Sequence, residues 1–447
     1  MTKEKVLVAS AGNLFKEYKD DITDGGVIRA LSSGEEFNSV LKGNKADSGL
    51  GKIEKMILNE GEAAPTAAGL GLKDREELEN FEGVRRKTLA LLWAYLGRVS
   101  LENTSLDDGK HHSNQRMQSS TNSALEKYEV APLALSMDES FTSIGLAYGA
   151  LSPLLSAYRA AQHLIQAVPP NGSPLLQLPH VTPSIAQVIE GQKRKAHLSV
   201  QQFMDMPEYQ RRKIATDQPG SLSPKQYNDV MTVARQIPLL RIEKVFFKVM
   251  GERHIIAGSL VQFVVKARVI PPGTVDVPEV NELDLEDIDP DEGDLDGLLG
   301  RKPPKNTKVK SADGTSILPD TEEKPIQPPL AYAPYFARDH SPRWHMFLAE
   351  SKQNRVAVPP TTITTFTKPI FEENGRPTFN MQTMKLQFQA PPQPGNYTFT
   401  MHMICDSYIG MDSKMEATLV VEDSEKAAEI ASDDEISEPD EGKSSVP

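Results

Sequence analysis

The sequence predicts a multidomain chain, α first and β afterwards: a helical bundle, short connecting helices, then an immunoglobulin-like β-sandwich carrying an acidic disordered insertion. Two observations predict this order. Apolar residues recur at helical spacing up to about residue 236, and after residue 237 the period falls to two over about seven short runs. The size permits it: 447 residues hold two or three domains and a sizeable core, and 38% hydrophobic with 25% charged residues describes a soluble globular chain.

The first helical segments, 6–18, 34–41 and 53–58, are short, and 72–99 reads as one long helix with Phe81, Val84, Thr88, Tyr95 and Val99 on a face. Segment 101–123, polar and carrying Asp107-Asp108-Gly109, reads as a surface loop. Helix resumes over 141–168 and restarts at Ser152-Pro153, where serine caps and proline fits the first turn. Thr182-Pro183 opens a further helix that Gly191 closes, and Ser199…Gln202 and Ser223…Gln226 are capping boxes.

The β-pattern is plainest where Val261, Phe263, Val265, Ala267 and Val269 alternate with Gln262, Val264, Lys266 and Arg268. Runs 383–390, 397–403 and 415–421 alternate likewise, and 240–250, 343–349 and 361–366 complete seven strands. The expected organisation is a helical bundle over 1–180, connecting helices over 181–236, and a sandwich over 237–422. An acidic insertion over 271–329 interrupts the sandwich and an acidic disordered tail follows over 423–447.

The net charge of −13 is unevenly placed. Segment 271–300 carries eleven acids and a single cation-free run down to Gly300, and 422–447 carries ten acids against Lys426 and Lys443. Without those two stretches, at −11 and −8, the rest of the chain is +6. That balance argues against bulk nucleic-acid affinity. One cysteine, Cys405, excludes a disulfide framework and a cysteine-rich zinc cluster. There is no signal-peptide apolar region, and 143–158 is too short and interrupted by Pro153 to span a membrane. The sequons at Asn103, Asn171 and Asn396 are therefore expected to be unmodified.

No phosphate-binding loop, dinucleotide fingerprint, zinc-protease motif or nucleophile elbow is present. His111-His112 and His340…His345 lack the companion ligands of a metal site. Asp287-x-Asp289-x-Asp291 departs from a calcium loop at Glu292 and Leu298. The expectation is a chain that is not an enzyme, with no catalytic residues, no cofactor and no metal. In the tail, Ser432 and Ser437 each precede an acid by three residues, as acidophilic kinases of the casein-kinase-two type prefer, and phosphorylation would add about −1.5 to −2 charge each.

Three runs carry a resemblance. Leu175-Leu176-Gln177-Leu178-Pro179-His180, Pro394-Gly395-Asn396-Tyr397 and Cys405-Asp406-Ser407-Tyr408-Ile409-Gly410-Met411-Asp412 resemble those of the Sec-sixty-three (Brl) module, over about 1–422. Cys405 stands where that family usually has serine. The module occurs in the J-protein subunit of the endoplasmic-reticulum translocon and behind the cassettes of spliceosomal DExH helicases. The resemblance implies a fibronectin-type-III sandwich and a scaffold subunit of post-translational protein translocation, at the cytosolic face of that membrane. Its implied partners are the channel subunit, gripped at cytosolic loops, and a small membrane subunit whose basic segment meets the acidic tail. No nucleic acid is expected. No His-Pro-Asp tripeptide is present, so the chain looks like the cytosolic part alone, reaching the membrane through partners or a missing N-terminal half.

Carried onto this sequence, the tail role falls on Ser432, Asp433, Asp434, Glu435, Ser437, Glu438, Asp440 and Glu441, and channel docking on Glu252 and Arg253. The alternative is an RNA-processing accessory module, for which Arg85-Arg86-Lys87, Lys193-Arg194-Lys195 and Arg211-Arg212-Lys213 are the nearest basic clusters, all short enough to be solvated faces.

Overall fold

A computed structural model describes residues 6–43, 48–58, 70, 72–101, 114–191, 196–287 and 325–423. Helices come first and antiparallel sheets follow, as the change of period predicts.

The helical region holds α1 (Val8–Glu17), α2 (Asp24–Leu31), α3 (Phe37–Val40), α4 (Leu50–Leu58), α5 (Leu72–Glu79), α6 (Gly83–Leu96), α7 (Asn114–Tyr148) and α8 (Leu151–Gln166). α6 is its centre: every side chain from Lys87 to Leu96 is buried, the mark of a helix enclosed on all sides. Tyr95 Oη donates to the Leu164 carbonyl at 2.7 Å, tying α6 to α8. Lys87 Nζ lies 2.8 Å from Glu126 Oε2 with both side chains almost fully buried, so the +1 charge inside the bundle is paired.

Three expectations are corrected here. The single helix over 72–99 is two helices, because Gly83 takes a left-handed φ of +57° that a continuous helix cannot contain. The loop over 101–123 gives way to helix from Asn114; polar composition alone does not stop a helix that lacks breakers. The restart near Ser152-Pro153 is real, but the N-cap position is Ala150 and Ser152 caps nothing of its own.

The connecting helices are α9 (Pro183–Glu190), α10 (Val200–Met204), α11 (Glu208–Thr216) and α12 (Pro224–Ala234), and α9, α10 and α12 start where the caps place them. Thr182 accepts from the Ile185 N–H, and both capping boxes are formed reciprocally. α11 has no side-chain cap hydrogen bond, and the sequence pattern misses it.

Seven strands follow: β1 (Leu240–Lys248), β2 (Leu260–Val269), β3 (Trp344–Glu350), β4 (Arg355–Ile363), β5 (Gln382–Gln389), β6 (Gly395–Cys405) and β7 (Ser413–Val421). They form one sheet in the order β1-β2-β5 and another in the order β4-β3-β6-β7, antiparallel throughout. The alternating apolar residues Phe263, Leu386, Trp344, Met401 and Leu419 join one core, which Phe203, Leu222 and Tyr227 of the connecting region share. Phe399 meets Phe247 and Phe388 at ring distances of 6.3 Å. β4 begins six residues before the expected 361 and includes Pro359-Pro360; as an edge strand it tolerates residues without an N–H.

The expectation of a structureless insertion is corrected at both of its ends. Residues 271–287 run back over the outer face of the β1-β2-β5 sheet, through a turn closed by Thr274 N–H to the Pro271 carbonyl and a 3-10 turn over Glu282–Leu285. Arg268 Nη1 donates to the Pro278 carbonyl at 2.8 Å, and Lys248 and Lys385 meet the Asp287 carboxylate at 2.6 and 2.7 Å. At the far end Ile326 pairs with Phe366.

Candidate interaction surfaces and the joint that holds them

The sequence motifs come together at the junction between α8 and the sheets. Gln177 and Ile409 exchange two hydrogen bonds, Nε2 to the carbonyl at 3.0 Å and Ile409 N–H to Oε1 at 3.1 Å, so one glutamine amide acts as a strand partner. Two residues one turn apart on α8 do the same work. Gln162 Nε2 donates to the Cys405 carbonyl at 2.7 Å and to Asp412 Oδ1 at 2.9 Å, and Gln166 Nε2 donates to the Ser407 carbonyl at 2.6 Å. Tyr408 Oη receives the Tyr332 N–H at 3.0 Å.

Asp406 is the ionic centre of the joint. Arg343 reaches it with its backbone N–H at 3.0 Å and Nε at 2.7 Å, the His340 ring lies 3.1 Å away, and the Ser407 hydroxyl donates at 2.6 Å. Arg343 Nη1 then extends to Glu139 on α7 at 3.0 Å. Burial opposes the Asp406 charge, but His340, Arg343 and Ser407 overcome it and hold the carboxyl well below the usual carboxylate range. Asp412 is different: burial dominates, Gln162 offsets only part of it, and its pKa is pushed up to about 6. Burial also pushes the Cys405 thiol up, as expected of a buried packing cysteine.

A second tie lies at the β3–β4 hairpin. Asn354 accepts from the Leu151 N–H with its carbonyl at 2.9 Å and from the Ser152 N–H with its side chain at 3.0 Å. Val356 N–H returns to the Gly149 carbonyl at 2.8 Å. The joint therefore consists of buried amides and an ion cluster that leave few donors for a partner, and its chemistry is that of a rigid connection.

Glu252 and Arg253 lie on the exposed β1–β2 connection, in the turn closed by the Val249–Glu252 bridge. The same connection holds the root of the tail: Glu422 donates its N–H to the Ile255 carbonyl at 2.8 Å, and His254 Nδ1 lies 2.8 Å from the Glu422 carboxylate. The eight predicted tail residues, Ser432 to Glu441, lie outside the described residues, as do Asn103, His111, His112, Asp289, Asp291 and the cluster 193–195. His340 serves Asp406, and His345 stacks on Tyr158 at 4.4 Å, so this pair is built into the joint. Asp287, the first residue of the calcium-like run, is held between two lysines.

Among the described residues, the 85–87 cluster and Arg211 are used internally, while Arg212 and Lys213 are exposed. Arg85 pairs with Glu17, Arg86 with Glu54 and Lys87 with Glu126, which corrects the reading of this cluster as a solvated face. Arg211 is buried and donates to the Tyr227 hydroxyl and to the Met204 and Met206 carbonyls. Among the described residues no group of three or more His, Cys, Asp or Glu side chains is placed to hold a metal, and no helix is long and apolar enough to cross a membrane. Sequence reasoning missed Gln162, Gln166, Arg343 and Asn354; only the two glutamines, four apart in an apolar helix, left a readable signal.

Residues 5–418 match the Sec63 Brl domain. The chain belongs to the Sec63 Brl domain family. Translocation protein sec63 of Schizosaccharomyces pombe (strain 972 / ATCC 24843) is 26% identical over 297 residues, 66% of this chain and 43% of that protein. The U5 small nuclear ribonucleoprotein 200 kDa helicase of Drosophila melanogaster is 21% identical over 412 residues, 91% of this chain and 14% of the helicase. The chain thus spans less than half the length of either relative. The three motif runs that carry the family resemblance are joint residues and a strand start, so what the Brl signature encodes here is a connection between helices and sheets.

Proposed function

We propose that this chain is a non-catalytic scaffold of the post-translational protein translocation complex, working at the cytosolic face of the endoplasmic reticulum membrane. The observation that carries the reading is membership of the Sec63 Brl family together with 26% identity to a translocation protein. On this reading the helical bundle (1–180) and connecting helices (181–236) brace a fibronectin-type-III-like sandwich (237–422). Two antiparallel sheets, β1-β2-β5 and β4-β3-β6-β7, sharing one core support a sandwich reading. Its β1–β2 connection, with Glu252 and Arg253, docks cytosolic loops of the channel. The tail over 423–447, phosphorylated at Ser432 and Ser437, holds the basic segment of a small membrane partner.

The close approach of Glu422 to the β1–β2 connection supports this, because it roots the tail beside the proposed docking loop. Acidic residues on the tail attract a basic partner at long range and are screened beyond about 8 Å at physiological salt. The sandwich supplies the short-range contacts that salt does not remove.

A second reading, an RNA-processing accessory module, draws on the alignment of 91% of this chain with the helicase. The internal pairing of Arg85, Arg86, Lys87 and Arg211 weighs against it, because RNA needs cations that are exposed and clustered. The test is binding of this chain to detergent-solubilised channel complex over a salt series, with and without 423–447, and with RNA in parallel. Channel binding that the deletion weakens, most at low salt, is the expected result. RNA binding without channel binding would overturn it.

A further inference from the structure

Among the described residues, the outer face of the β1-β2-β5 sheet carries more lysines than carboxylate contacts to them. Side chains two apart on a strand share a face, so Lys244 and Lys248 of β1, Lys266 of β2 and Lys385 of β5 line one surface. The register puts Lys244 opposite Lys266, two like charges side by side. Among the described residues Asp287 is the carboxylate that meets these lysines, and it meets Lys248 and Lys385.

Lys266 is the anomaly. It is only 5% exposed, yet its ammonium donates to a single neutral partner, the Thr383 hydroxyl at 2.9 Å, and forms no ion pair among the described residues. Four residues earlier on the same face of β2, Gln262 is 6% exposed with its Oε1 lacking a hydrogen-bond partner among the described residues. A buried ammonium with carboxylates near it but no direct ion pair, and an amide oxygen without a donor, are both costly to keep in a folded face.

Residues 275–287 show what kind of group fits. They cross the face without pairing as a strand, held by the Pro278 carbonyl on Arg268 and by Asp287 on Lys248 and Lys385. Asp276, Glu279, Glu282, Asp284 and Glu286 remain exposed without an ion pair among the described residues, and Leu283 is 72% exposed. An acidic, partly apolar, extended peptide therefore already lies on this face, and among the described residues it leaves Lys266 without a direct ion pair and Gln262 Oε1 without a donor.

We propose that the Lys248–Lys266–Lys385 face binds an extended acidic segment of a partner protein, and that residues 275–287 are a built-in occupant which that segment displaces. This goes beyond the scaffold reading and is opposite in sign to it: there the chain offers acids to basic partners, whereas here it offers lysines to an acidic one.

The probe is a fluorescent synthetic copy of residues 275–287, added to the full chain and to its variants. Asp287→Asn weakens the built-in occupant, so the probe binds this variant about tenfold or more tighter than it binds the wild type, the worth of one charge-assisted contact. Lys385→Glu, at the exposed edge of the site, removes that binding in the Asp287→Asn background, and unfolding midpoints confirm that both variants remain folded. Equal binding to wild type and Asp287→Asn, or binding that survives Lys385→Glu, overturns the proposal. So does a tenfold gain in affinity on deletion of 424–447, which would assign the face to the chain's own tail. Capture of Asp287→Asn by phosphatidylserine vesicles but not by the peptide would overturn it in favour of an anionic lipid surface.

Discussion

The side chain of Asn354, on the β3–β4 hairpin, accepts hydrogen bonds from the Ser152 backbone N–H at 3.0 Å and the Ser152 hydroxyl at 2.7 Å. The first turn of α8 is therefore capped from 202 residues away, by the sheet it packs against. A helix that borrows its cap from another layer is fixed to that layer at its end, where rotation would otherwise be easiest.

Loss of this cap is measurable. Asn354→Ala removes the acceptor and places a Cβ-bearing aliphatic residue at a left-handed φ of +52°, and costs about 2 kcal/mol. Asn354→Gly removes the same acceptor but accepts the backbone, so it costs less. Denaturant titration of the two variants should rank them in that order.

Gln177, in the first motif run, is bonded to Ile409, in the third. Gln177→Leu keeps the size of the side chain and leaves the Ile409 N–H and carbonyl unpaired, costing about 2 kcal/mol or more. Gln177→Glu keeps an acceptor for the N–H but sets a carboxylate against the carbonyl, so it does not rescue. Equilibrium unfolding of both variants checks this.

Two aspartates of the joint titrate with opposite consequences. Asp412 is raised to about 6 when folded, so its contribution is full below the ordinary pKa near 3.8 and is lost as pH rises through about 6. The stability of Asp412→Asn relative to wild type therefore rises by about 3 kcal/mol between pH 4 and 7. Asp406 is depressed, so its contribution is present above the ordinary carboxylate range and is lost as pH falls through its lower folded value. The penalty of Asp406→Asn is greatest at neutral pH and shrinks in acid. Denaturation midpoints over that range test both signs.

The buried pair in the bundle separates a structural role from an RNA-binding one. Lys87→Met alone strands Glu126 and costs about 3–5 kcal/mol, whereas Lys87→Met with Glu126→Leu is close to neutral. The double variant should show the same RNA affinity as the wild type in a filter or anisotropy assay.

Much of the fold was legible because its signals are local. The caps at Thr182, Ser199 and Ser223 and the period-two runs of β2, β5, β6 and β7 depend on neighbours in sequence, and each appears where the pattern puts it. What could not be read is set by distant partners. Lys266 and Arg268 alternate as a solvent face would, yet both are buried, because residues 271–287 return over them. Ser152-Pro153 looks like a helix start, and the cap comes from Asn354. Cys405 to Asp412 could be recognised as a motif, but that its backbone is read by Gln162, Gln166 and Gln177 follows only from the packing of α8 and the connecting region on the sheets.

The Brl motif residues join helices to sheets, and the proposed docking site is the β1–β2 connection. The most direct measurement is affinity for detergent-solubilised channel complex, taken together with unfolding midpoints, for Glu252→Lys/Arg253→Glu and for Gln177→Leu. The expected result is that the loop variant loses affinity with an unchanged midpoint, while the motif variant lowers the midpoint and, at a temperature where it is folded, binds as wild type does. A folded motif variant that fails to bind, beside a loop variant that binds normally, would contradict it.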